Sequence, residues 1–217
     1  MYTVALGRGS DTDGLAYWCK ELAGNKQNAA DIAYGFFFST EYKQKNRSNE
    51  QFVDDLYETI LGRKADSAGG NLALSLALKL KQEGRLLPRG LVLMSPWTDL
   101  TSSGQSFESK AELDPVLNKA YIDRMVEAYA GGQELKNPLV SPLFGDFEGF
   151  PPTYIQVGEN EILLSDSERL HQAFVDANVS VRMDMYPGMW HVFQMSPVKA
   201  ARAAMDKNAE FIYDICR

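Results

Sequence analysis

Ser67 is the residue of this sequence best placed to do chemistry. It lies in Lys64-Ala65-Asp66-Ser67-Ala68-Gly69-Gly70-Asn71-Leu72, between small residues and at the mouth of an apolar, helix-forming stretch. A serine at a sharp strand-to-helix turn has its Oγ lifted into the open, and small neighbours permit that strained turn. The amide of the next residue, Ala68, would point to where negative charge develops during acyl transfer. A helix N-terminus adds a favourable partial charge there. Asp, Ser and Gly also cap helices and form turns in any protein, so the same residues admit a purely structural reading.

The elements that must position this serine follow it. Residues 67–84 read as a helix with Leu72, Leu76 and Leu80 on one face. Leu91-Val92-Leu93-Met94 is a short apolar run ended by Ser95-Pro96, as expected of a buried parallel strand. Thr153 to Gly158 is a second such run. Val179 to Tyr186 alternates, which suits a strand nearer an edge. Helices are expected at about 118–130, 165–177 and 198–215. Alternation of strand and helix implies a parallel α/β sheet.

The chain of 217 residues has an ordinary globular composition, 45% hydrophobic and 24% charged. Its net charge of −7 is spread along the chain, and no basic patch invites nucleic acid. Cys19 and Cys216 have neither metal spacing nor a disulfide framework. No apolar run reaches the length of a membrane span, and no basic-then-apolar leader opens the sequence. The expectation is a soluble, cytoplasmic protein.

Residues 1–65 differ in character. Helices are expected over about 12–23, 27–38 and 49–61, with Phe36, Phe37 and Phe38 as core aromatics. Leu6-Gly7-Arg8-Gly9-Ser10-Asp11 recurs as Leu61-Gly62-Arg63-Lys64-Ala65-Asp66, 55 residues later. With Gly14-Leu15-Ala16-Tyr17-Trp18 and Phe52-Val53-Asp54-Asp55-Leu56-Tyr57, this resembles a small all-helical repeat module of unassigned function, common in bacterial secreted and surface proteins. The resemblance covers about residues 2–66 and implies no catalytic residue. Asp66 to Gly69 fits that repeat as a helix cap as well as it fits a nucleophile turn.

From residue 66 onward the chain resembles the C-terminal half of the bacterial hormone-sensitive-lipase-like α/β-hydrolases. Six blocks in order carry the resemblance: Asp66 to Ala73, Leu93 to Leu100, Asn137 to Leu143, Pro151 to Gly158, Glu161 to Asp166, and Tyr186 to Phe193. It implies Ser67 as nucleophile, His191 as general base, Glu161 as the acid that orients it, and Ala68 as an oxyanion-hole amide. The order Ser, acid, His is that of the fold. Asp166 is the nearest rival for the acid, and His171 reads as a surface residue. The resemblance implies hydrolysis of short acyl esters with no cofactor. Residues 100–135 would form a lid remnant, with Trp97 and Phe107 lining the substrate pocket.

The chain also departs from that family. It contains no His-Gly-Gly to complete the oxyanion hole, and Ala65 stands where the first glycine of the motif is usual. The fold expected is therefore a partial α/β-hydrolase sheet over 66–217 behind an all-α module over 1–65, a chimeric or truncated arrangement with impaired catalysis. An unpaired sheet edge predicts a homo-oligomer. The alternative is a non-catalytic fusion whose helical module mediates packing or self-association.

Overall fold

The computed structural model describes residues 67–130 and 132–217, with only the backbone of Ser67, Ala68 and Ala128. The proposed helical module and its three helices lie outside the described residues.

The elements run α1 (Ser67–Gln82), β1 (Leu91–Met94), α2 (Ser106–Ser109), α3 (Lys119–Ala130), β2 (Thr153–Gly158), α4 (Leu164–Asp176), β3 (Val181–Tyr186) and α5 (Lys199–Cys216). Single 3-10 turns occur at Pro142–Phe144 and Phe193–Met195. The three strands form a parallel sheet in the order β1-β2-β3. Leu91 pairs with Thr153, and Gly158 with Tyr186. This is the parallel α/β sheet expected from the strand–helix alternation.

All six residues of β2 are buried, as a central strand covered on both faces requires. On one face Leu91, Leu93 and Ile155 pack against Leu74, Ala77 and Leu78 of α1 and Leu170 and Phe174 of α4. On the other, Tyr154 stacks on Phe211 of α5, and the Gln156 amide donates to the Ala204 carbonyl at 2.8 Å. A separate apolar cluster sits beyond the strand ends. It joins Trp97, Leu100, Phe107, Leu117, Ile122, Val140, Ile162 and Leu163. The segment expected as a lid remnant is thus a packed cap.

Two details differ from the sequence reading. Leu72, Leu76 and Leu80 are buried, but the α1 face that joins the sheet core is Leu74, Ala77 and Leu78. A helix apolar on nearly every side gives no single stripe to choose from. The third strand starts at Val181 rather than Val179. Helix α4 ends with the Asn178 and Val179 amides donating back to the Val175 and Phe174 carbonyls, and Asn178 in left-handed backbone. That Schellman closure commits Val179 to the helix end.

Candidate active site

The parallel register brings the C-terminal ends of β2 and β3 side by side, and each end carries one member of a carboxylate–imidazole pair. After Gly158 the chain turns through Glu159-Asn160 and delivers Glu161, which is fully buried. After Tyr186 it turns through Pro187-Gly188, with Gly188 at φ 70°, and delivers His191. Three bonds lace the turns together. The Glu159 amide donates to the Tyr186 carbonyl, the Asn160 amide to the Met189 carbonyl, and the Gly188 amide to the Glu159 carboxylate.

Glu161 Oε2 lies 2.8 Å from His191 Nδ1. Glu161 Oε1 accepts the Gly158 amide, also at 2.8 Å. A buried carboxylate requires such partners. Because a carboxylate only accepts, Nδ1 carries the hydrogen, and the lone pair of neutral imidazole resides on Nε2. The arrangement can take up a proton at Nε2 and hold the resulting imidazolium against Glu161.

Gly158 has a second duty that its place at a strand end did not reveal. A Cβ there would stand 2.5 Å from the Met189 carbonyl oxygen and 2.8 Å from that of Trp190. Only glycine lets the histidine turn approach this closely. Asp114 was also missed. Its Oδ2 accepts the amide of Ile162, next to Glu161, while its Oδ1 accepts those of Val116 and Leu117. It ties the cap to the acid's turn, and the only hint in the sequence was a turn-forming Asp before Pro115.

Asp166 faces elsewhere. Its Oδ2 accepts the Thr98 and Asp99 amides at 2.9 Å each, and its Oδ1 pairs with Arg169 at 3.0 Å. Arg169 also pairs with Asp99. Burial pushes Asp166 up to about 7, against the pull of the two amides and Arg169. Asp99 lies below the usual carboxylate range. Burial opposes its ionisation, but bonds from Ser103, Thr101 and Arg169 outweigh it. This network clasps the loop after β1 to α4; it does not reach His191.

Trp97 and Phe107 are 3% and 6% exposed, inside the cap cluster. The Trp97 indole N–H is buried without a partner. His171 is half-buried on α4. Ser67 opens α1, and the Ala68 amide falls in its first turn, where helical amides have no partner within the helix. Among the described residues no cluster of three or more His, Cys, Asp or Glu could hold a metal, and no helix is long and apolar enough to cross a membrane.

Residues 59–195 match the family described as alpha/beta hydrolase fold, a span that includes Ser67, Glu161 and His191. The chain belongs to the α/β-hydrolase fold family. Residues 1–46 and 33–74 match a domain of unknown function (DUF4214), so Ser67 lies both in the second of these spans and in the hydrolase match. An esterase of Acinetobacter venetianus is 42% identical over 171 residues, covering 73% of this chain and 56% of that protein. An acetyl-hydrolase of Streptomyces hygroscopicus is 39% identical over 128 residues, covering 59% and 43%. The crystal structure of a hormone-sensitive lipase from a metagenome library is 38% identical with a TM-score of 0.68, covering 75% of this chain and 61% of that one. The chain spans about half the length of the curated relatives it matches.

Proposed function

We propose that the chain is a carboxylesterase-type hydrolase that cleaves short acyl esters through an acyl-enzyme. The observation that carries this reading is the buried Glu161–His191 pair at 2.8 Å, at the strand ends of an α/β-hydrolase sheet. His191 Nε2 takes the proton from Ser67 as Oγ attacks the ester carbonyl, then returns it to the leaving alcohol. Glu161 holds the tautomer and stabilises the imidazolium. The Ala68 amide faces the developing oxyanion. Water repeats the sequence and releases the acid, with no cofactor. Trp97 and Phe107, through the cap cluster, set the wall of the acyl pocket.

The chain supplies no His-Gly-Gly segment, so the reading includes a weakened oxyanion hole. One absent donor lowers kcat by about 100- to 1,000-fold in a comparable hole. The division is taken as a helical module over 1–65 and the hydrolase part over 66–217. Among the described residues β1 pairs on one side only, which supports self-association. A monomer by light scattering would remove that element of the reading.

A second reading draws on the match of 33–74 to a domain of unknown function. There Ser67 caps a helix, and the chain serves packing rather than catalysis. Hydrolysis of a short-chain p-nitrophenyl ester, beside Ser67→Ala prepared identically, separates the two. Activity confined to the unaltered chain supports the esterase. Equal background rates in both support the second reading. Labelling of Ser67 by a fluorophosphonate probe gives the same answer without turnover.

A further inference from the structure

The dipeptide that ends β1, Ser95-Pro96, touches both sides of the proposed site. Ser95 is fully buried, and its backbone is left-handed at φ 49°. A residue before proline favours extended backbone, so the surroundings hold it there. Its amide carries the β1–β2 ladder one step further, to the Gln156 carbonyl at 2.8 Å. Its hydroxyl accepts the amide of Val192, the residue after His191, at 3.1 Å. Val192 is itself left-handed at φ 49°, a conformation that β-branched residues avoid. Pro96 packs the other way, onto α1. A Cβ on Gly70 would stand 2.9 Å from Pro96 Cβ and 3.1 Å from its Cα. Gly70 is three residues after Ser67, in the first turn of the same helix.

We propose that Ser95 and Pro96 are positioning residues: a rigid spacer that sets the separation of the nucleophile helix and the histidine turn. The proposal rests on the hydrolase reading of Ser67 and His191. Glu161 orients the imidazole at Nδ1, and the laced turns hold the backbone before His191, up to Met189. The Ser95 hydroxyl supplies the constraint on the other side of His191, by trapping Val192 in left-handed backbone. Without that acceptor Val192 relaxes and swings His191 with it. Pro96 fixes the opposite end, because Gly70 has no side chain to yield.

Two substitutions separate positioning from folding. Ser95→Gly removes the acceptor and suits φ 49°. Ser95→Thr keeps the acceptor and strains the same backbone. The spacer predicts opposite orders for activity and stability. Ser95→Gly melts near the unaltered chain but loses about 10- to 100-fold in kcat, with KM changed little, as expected for a displaced base. Ser95→Thr melts lower and keeps most of its kcat. Activity that simply follows melting temperature through both variants overturns the proposal.

A second measurement covers a Ser95→Thr that does not fold and a chain that does not turn over. With only His171 and His191 present, the His191 ring nitrogens are readily assigned by NMR. Ser95→Gly is expected to shift or broaden the Nδ1–H resonance of the Glu161 pair. An unmoved resonance overturns the spacer even in a chain without esterase activity. A moved resonance in such a chain keeps the spacer and removes the hydrolase reading.

Discussion

Glu161 and Asp166 lie five positions apart, and both are fully buried. What separates them is where their oxygens are used. Glu161 shares its two between the Gly158 amide and His191 Nδ1. Replacing Glu161 with Gln keeps the shape but offers an amide N–H to Nδ1. The imidazole then answers with the other tautomer, and Nε2 carries hydrogen when it should accept it. On the hydrolase reading, kcat of Glu161→Gln falls by about 10,000-fold, the effect of the equivalent exchange in a Ser-His-Asp triad. Asp166→Asn, measured in the same ester assay near neutral pH, is expected to stay within about tenfold of the unaltered chain, since Asp166 binds only the loop after β1 and Arg169. A large loss in Asp166→Asn with little in Glu161→Gln would return the acid's role to Asp166.

At the scale of elements, the turns after β2 and β3 form one unit, and Gly158 is the place to test it. Adding a methyl group there brings it against main-chain atoms of Met189 and Trp190, which cannot rotate aside as a side chain could. Gly158→Ala is therefore expected to cost about 1–3 kcal/mol by denaturant unfolding, the usual penalty of overpacking. It should also lower esterase activity by more than the unfolded fraction explains. A variant as stable and active as the unaltered chain would mean that the His191 turn has slack. These couplings are where sequence reading ran out. Leu91–Met94 and Thr153–Gly158 were legible because buried parallel strands are short apolar runs between breakers. The pairing of Glu161 with His191, thirty residues apart, came from ordered motifs and not from periodicity. The left-handed backbones of Ser95 and Val192 carried no signal, since neither is a residue that favours that region. That Trp97 and Phe107 pack in one cluster with Leu100, Leu117 and Ile162 was not legible either, because no periodic pattern joins residues so far apart in the chain.

At the scale of the whole molecule, the buried network of Asp166, Asp99 and Arg169 joins the loop after β1 to α4, and its titration should be visible in global stability. Asp166 is raised by burial to about 7, from an ordinary value of 3.8. Between those values the folded chain keeps a proton that the unfolded chain has released. Stability is thus fully present below about pH 4, declines as pH rises, and levels off above about pH 7. One proton gives a slope of at most about 1.4 kcal/mol per pH unit. Asp99, Asp146 and Asp184 act in the opposite sense and in a lower window. Their folded values lie below the ordinary one, Asp184 at about 2. Their contributions hold above pH 3.8 and are lost only as pH falls through those lower values. The two sets place the maximum of their combined contribution near pH 4 to 5. Urea unfolding at several pH values, beside Asp166→Asn, isolates the clasp. The variant is expected to lose the decline between about pH 4 and 7, so the stability difference between the two proteins changes across that window and is constant on either side of it. The same decline persisting in Asp166→Asn would mean that another group carries it, and that Asp166 is ionised in the folded chain throughout, held by the Thr98 and Asp99 amides and Arg169.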